Sequence, residues 1–171
     1  MLVALALCSG CASISVKSSH YSSGQILLLP PRDLVQKGIP HPKGVGSGKI
    51  FQEHLRQNFL NTPFKVVTTD SNAFGATEIA AKDKVLKEAK SLNTDYCLQV
   101  VLGEFLNAAP MTFRPDHASV ESAIMYNVAT GDTVWELLEP LYLEKGNPGN
   151  HLVLLNKHAR TITKSILKNM K

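Results

Sequence analysis

Cysteine is scarce in this 171-residue chain: there are three, and two of them, Cys8 and Cys11, fall within the first eleven residues. A disulfide framework is therefore excluded, and a packed apolar core has to hold the fold. Aromatic residues make up 6% of the chain, with a single tryptophan, and none interleaves its basic residues in the manner of a nucleic-acid-binding surface. Charge of either sign is modest, 18 Lys+Arg against 14 Asp+Glu for a net +4, which excludes a strongly acidic disordered chain. The 11 Gly and 9 Pro follow no period, which excludes collagen-like and low-complexity architectures. The length fits one domain.

Chemical signatures are equally sparse. The six histidines contain no His-x-x-x-His pair, and His151 and His158 would lie about 10 Å apart along a helix, too far to share a metal. Cys97 stands alone in an apolar stretch and reads as core. Ser47 lacks the flanking glycines of a nucleophile elbow. Spacing pairs none of Glu104, Asp116, Glu121 and Glu136 for acid–base work, so these read as solvated faces. No catalytic residue, metal or cofactor is expected, and the chain is not expected to be an enzyme.

The N-terminus carries an address. Met1–Leu7 (MLVALAL) is apolar but far shorter than the roughly 20 residues a membrane-spanning helix needs. With Ser9 and Gly10 before Cys11, the start resembles a bacterial lipoprotein signal, which implies lipidation of Cys11 after cleavage. The basic residues that usually open such signals would come from a translation start further upstream. Ala12, in place of Asp after the cysteine, implies sorting to the outer membrane, facing the periplasm. The expected organisation is a signal peptide over 1–10, the lipidated cysteine and a polar tether over 11–24, and one α/β domain over 25–171.

Within that domain, Ile26–Leu29 before Pro30-Pro31 is an apolar block expected as a central strand buried on both faces. Ser47 is a plausible N-cap for a helix over 49–60, where Phe51, Leu55 and Phe59 recur at i+4. Residues 64–69 read as a strand, 77–92 as a helix with Ala81, Val85, Ala89 and Leu92 inward, and 96–106 as a second buried strand. Segments 118–129 and 133–144, joined at Thr130-Gly131-Asp132, read as a hairpin, with period-two alternation through the first. A final helix, capped by Asn150, carries Leu152, Leu155, Ala159, Ile162, Ile166 and Met170 on one stripe. The order β-α-β-α-β-β-β-α predicts an α/β (α+β) fold: a single mixed sheet of about five strands with helices packed on it.

This order, the lipoprotein start and the hairpin Tyr126–Trp135 are similar to a group of bacterial envelope lipoprotein domains. The group includes the N-terminal domain of the Tol periplasmic protein, the lipoprotein activators of penicillin-binding proteins and the curli secretion lipoprotein. Gly46-Ser47-Gly48, the segment Thr112–His117 and the Thr-Gly-Asp turn resemble a family of uncharacterised lipoproteins of about this length. The resemblance implies a non-enzymatic accessory role on an envelope protein or polymer, and brings no catalytic residues with it.

Three surfaces are candidates for contact. Lys157, Arg160, Lys164, Lys168 and Lys171 recur every three or four residues opposite the apolar stripe of the last helix, and no Asp or Glu follows residue 145. That face suits an acidic partner or anionic headgroups. Met111, Phe113 and Arg114 form a candidate loop contact. An alternative role, as a ligand binder or enzyme for anions or nucleotides, would use Gly44–Lys49 at the start of the first helix, although the spacing fits neither a P-loop nor a dinucleotide fingerprint. A subunit of an oligomeric envelope complex is a third alternative.

Overall fold

A computed structural model describes residues 14–36, 39–40, 44–69, 81–106, 116–145 and 151–170. Cys11, the loop with Met111, Phe113 and Arg114, the Asn150 cap and Lys171 lie outside the described residues. The apolar block at 26–29 sits within and just after β2 (Gly24–Leu28), between β5 (Phe64–Thr68) and β6 (Tyr96–Leu106) and parallel to both. Its side chains alternate between two cores. Ile26 and Leu28 point to one, Leu27 and Leu29 to the other, and all four are buried. Burial on both faces is what selects a continuous Ile/Leu run, each residue contributing roughly 1.5–3 kcal/mol.

The second half is antiparallel. β7 (Asp116–Asn127) pairs with β6 along one edge. Along its other edge it pairs with β8 (Thr133–Leu137) and then β9 (Leu141–Lys145). β1 (Val16–Ser18) closes that side against β8. Among the described residues the result is one open mixed sheet of 7 strands with 3 helices, ordered β1-β8-β7-β6-β2-β5, with β9 beside β7. Two-residue strands β3 (Val35–Gln36) and β4 (Ile39–Pro40) attach where Val35 meets Glu104 of β6.

The mixed α+β sheet agrees with expectation, but the count of about five strands was too low. Two causes are visible. Leu138–Pro140 breaks the expected 133–144 strand in two, with a one-residue change of register, because proline cannot donate to the ladder. The second is local: β1 is short and polar, and part of the segment read as a tether is built into the fold. The Tyr21 hydroxyl, itself buried, donates to the Ile166 carbonyl at 2.6 Å, and Ser19 N–H donates to Val134 O at 2.8 Å.

The alternation read through 118–129 also changes phase. Ala118 and Val120 face the first core, but so do Ala123 and Met125. β6 and β7 are out of step where Val101 opposes Ser122 while Leu102 opposes Val120, and this irregularity shifts the phase by one residue.

Three helices, α1 (Ser47–Phe59), α2 (Lys82–Ser91) and α3 (His151–Lys168), cover the sheet. α1 and α3 share the larger core through Phe51, Leu55, Phe59, Leu155, Ala159, Ile162 and Ile166. α2 lies on the opposite face, placing Val85, Leu86 and Ala89 on Leu27, Leu29, Cys97 and Tyr126. Residues 82–91 of the expected 77–92 are helical, residues 77–80 lie outside the described residues, and Leu92 is exposed rather than inward. α1 and α2 are each followed by an asparagine with positive φ, Asn61 (61°) and Asn93 (52°), the C′ position where a left-handed residue ends a helix. α2 packs on the part of its sheet face formed by Leu27, Leu29, Cys97, Tyr126 and Val128.

Candidate functional site

Ser47 is the first residue of α1, not its N-cap. Its hydroxyl accepts the Leu34 N–H at 2.8 Å, and Gly46, with φ 80°, makes no side-chain cap. Capping comes instead from Asp33, whose two carboxylate oxygens accept Gly46 N–H and Gly48 N–H, each at 2.8 Å. The carboxylate also meets the positive end of the helix dipole. Gly44 and Gly48 are small because a Cβ at either would collide with a backbone carbonyl, of Leu34 and Pro31 respectively. The glycine-rich segment is therefore a packing and capping device. An anion arriving at Gly44–Lys49 would have to displace the chain's own carboxylate.

Lys157, Arg160, Lys164 and Lys168 are all exposed, along the face of α3 opposite Leu155, Ala159, Ile162 and Ile166. The helical period carried by the sequence has placed them together, as expected. Among the described residues the ion pair found is Arg56–Glu53 within α1, at 2.7 Å, so the α3 cations have no intramolecular counter-charge there.

The same helix buries His158. Its Nε2 lies 2.9 Å from the Ala118 carbonyl, which can only accept, so the proton sits on Nε2 and the buried Nδ1 has no partner. Burial holds the imidazole below its ordinary value of 6.5, opposed by the bond to Ala118. Protonation would place an unpaired cation under α3. The folded state thus binds fewer protons than the unfolded one, and stability is expected to fall as pH drops through and below about 6.5. His54, depressed mainly by burial, adds to the same trend. His158→Gln, which keeps a neutral donor, should flatten the slope of urea midpoint against pH between pH 7.5 and 5. An unchanged slope would contradict this.

One arrangement was not apparent from spacing. On the same side of the sheet as α2, a cleft of about 440 Å³ is lined, among the described residues, by Arg32, Val35, Gly103, Glu104, His117, Ser119, Glu121 and Tyr142. His117, Ser119 and Glu121 alternate with Ala118 and Val120 of the core, so they project to the opposite side. The Ser119 hydroxyl accepts the Glu104 N–H and donates to the Glu121 carboxylate, each at 2.9 Å. His117 stacks on Tyr142 with centroids 5.5 Å apart, and Tyr142 is 60% exposed. A Cβ at position 103 would overlap both Ser119 and Glu121, so a glycine inside a strand marks the place where these side chains cross β6. That glycine was the available signal.

Cys97 is buried with a free thiol, pushed up to about 12 by burial, as a core residue should be. Among the described residues there is no group of three metal-ligating side chains, and no helix is long and apolar enough to cross a membrane.

No family model matches the chain, and no curated protein matches it in sequence. Solved structures do match its fold. The PelC dodecamer protein from Paraburkholderia phytofirmans is 13% identical with a TM-score of 0.63, covering 91% of this chain and 96% of that one. Lipoprotein GNA1162 from Neisseria meningitidis is 16% identical with a TM-score of 0.53, over 84% and 98% of the two chains. The hypothetical protein CT253 from Chlamydia trachomatis is 11% identical with a TM-score of 0.55, over 86% and 98%. The likeness is one of fold.

Proposed function

We propose that the protein is a lipid-anchored accessory domain of the bacterial envelope, held at the outer membrane through Cys11 and facing the periplasm. It acts without catalysis by presenting the basic face of α3 to an acidic envelope component. The observation that carries this reading is the row Lys157, Arg160, Lys164 and Lys168, exposed on one helix face and unpaired among the described residues. Convergent like charges on a rigid element raise the local potential, steer an acidic partner and make its binding sensitive to salt. The lipoprotein-like start and the fold shared with lipoprotein GNA1162 support the location. PelC is a dodecamer, and work in several copies belongs to the same proposal.

Reversing Lys157, Arg160 and Lys164 to glutamate together is expected to reduce recovery of cross-linked envelope components from intact cells by about tenfold or more. These side chains are exposed, so the melting temperature should stay within a few degrees of wild type. Unchanged recovery from a folded variant would remove the basic face from the account.

A further inference from the structure

Two groups of charge of opposite sign lie on opposite sides of the sheet, and the second side also carries the exposed Lys82, Lys87 and Lys90 of α2. On the α3 side stand Lys157, Arg160, Lys164 and Lys168. On the α2 side, in a cleft whose described lining contains no α2 residue, Glu104 and Glu121 are exposed beside the stacked pair His117–Tyr142. Neither carboxylate is in an ion pair among the described residues, and Glu121 is fixed by the Ser119 hydroxyl. Among the described lining residues the cation is Arg32, and it is engaged, its Nε donating to the Leu102 carbonyl at 3.4 Å. An exposed tyrosine ring next to two carboxylates is a receptor for a lysine or arginine side chain, combining charge with a cation–π contact.

We propose that the occupant of this cleft is the basic face of α3 from a second copy of the same chain. This names the acidic component of the function proposed above and rests on that reading. Donor and receptor sit on opposite faces of one slab, so the contact cannot be isologous. It is head-to-tail, and repetition gives a closed ring when the rotation closes. Individual exposed ion pairs contribute little, so the contact depends on several of them acting together with the Tyr142 ring. It weakens as salt rises.

The test is a charge swap on the full chain in mild detergent, read by sedimentation velocity. Wild type should sediment as a multi-copy species that dissociates at high salt. The variant Lys157→Glu/Arg160→Glu/Lys164→Glu and the variant Glu104→Lys/Glu121→Lys should each be monomeric, with self-affinity at least about tenfold weaker. Mixed together they should assemble again, since each acidic α3 then faces a basic cleft and each basic α3 an acidic one. Should Glu121→Lys fail to fold, Glu104→Lys/Tyr142→Ala replaces it as a loss-only test. A monomeric wild type at every concentration, variants that keep the wild-type size, or a mixture of folded variants that stays monomeric would each overturn the proposal. If wild type is monomeric while the α3 reversal still loses envelope components, this inference fails and the proposed function stands. If the swap works but the reversal leaves recovery of other components unchanged, the assembly stands and recruitment of a different partner falls.

Discussion

Replacing Trp135 with alanine is expected to lower the unfolding free energy by about 3–5 kcal/mol, the range for a fully buried large aromatic. Trp135 has no exposed surface and lies opposite Met125 on β7, within the core that α1 and α3 cover. It is also polar at one point: Nε1 donates to the Ser165 hydroxyl of α3 at 3.2 Å. The indole therefore ties the hairpin to the helix that carries the basic face, and truncation leaves both a void and an unpaired hydroxyl. Trp135→Phe retains most of the apolar area and loses the hydrogen bond, so a smaller cost of about 1–2 kcal/mol is expected. Leu138→Ala, three residues on and 54% exposed, should be nearly neutral. Urea unfolding of the three variants checks the order, and a wild-type midpoint for Trp135→Ala would contradict the packing described.

A second large effect is expected at Asp33. Asp33→Ala removes the acceptor of two amide groups at the start of α1 and should cost about 2–3 kcal/mol, since both bonds are charge-assisted and partly buried. Asp33→Asn keeps an acceptor and should lose about half as much. The same pair of proteins tests the anion-binding alternative. With the carboxylate in place, millimolar phosphate should leave the wild-type melting temperature unchanged. A ligand present at 100 times its dissociation constant would instead add about 2.7 kcal/mol of stability. A phosphate-dependent rise in the wild type would show that the loop accepts anions despite Asp33.

These two sites show where local sequence is informative and where it is not. The buried run at Ile26–Leu29, the stripe Phe51, Leu55, Phe59 and the two faces of α3 were legible because each is written within a few turns or one strand. The cap of α1 was not, because the acceptor lies 13 and 15 residues upstream of the amides it serves; the nearest hydroxyl, Ser47, turns to Leu34 instead. The phase change in β7 escaped because it arises from its partner: alternation inside one strand carries no record of an irregularity shared with β6. Glu104 and Glu121 read as scattered surface acids for the same reason. Pairing of β6 with β7 brings both to one cleft, and the interior glycine Gly103 is the trace this leaves in the sequence. The basic face needed no such help, since helical spacing alone gathers Lys157, Arg160, Lys164 and Lys168.

The anchor is the premise on which the accessory role stands. Each buried acyl methylene contributes about 0.8 kcal/mol, so several chains on one cysteine hold a domain of this size at a membrane surface. The most direct measurement is metabolic labelling with an alkyne fatty acid, followed by fractionation of cells carrying the full gene. The account predicts label on the protein in the membrane fraction, abolished by Cys11→Ala along with membrane retention. An unlabelled wild-type protein recovered whole from the soluble fraction would contradict it.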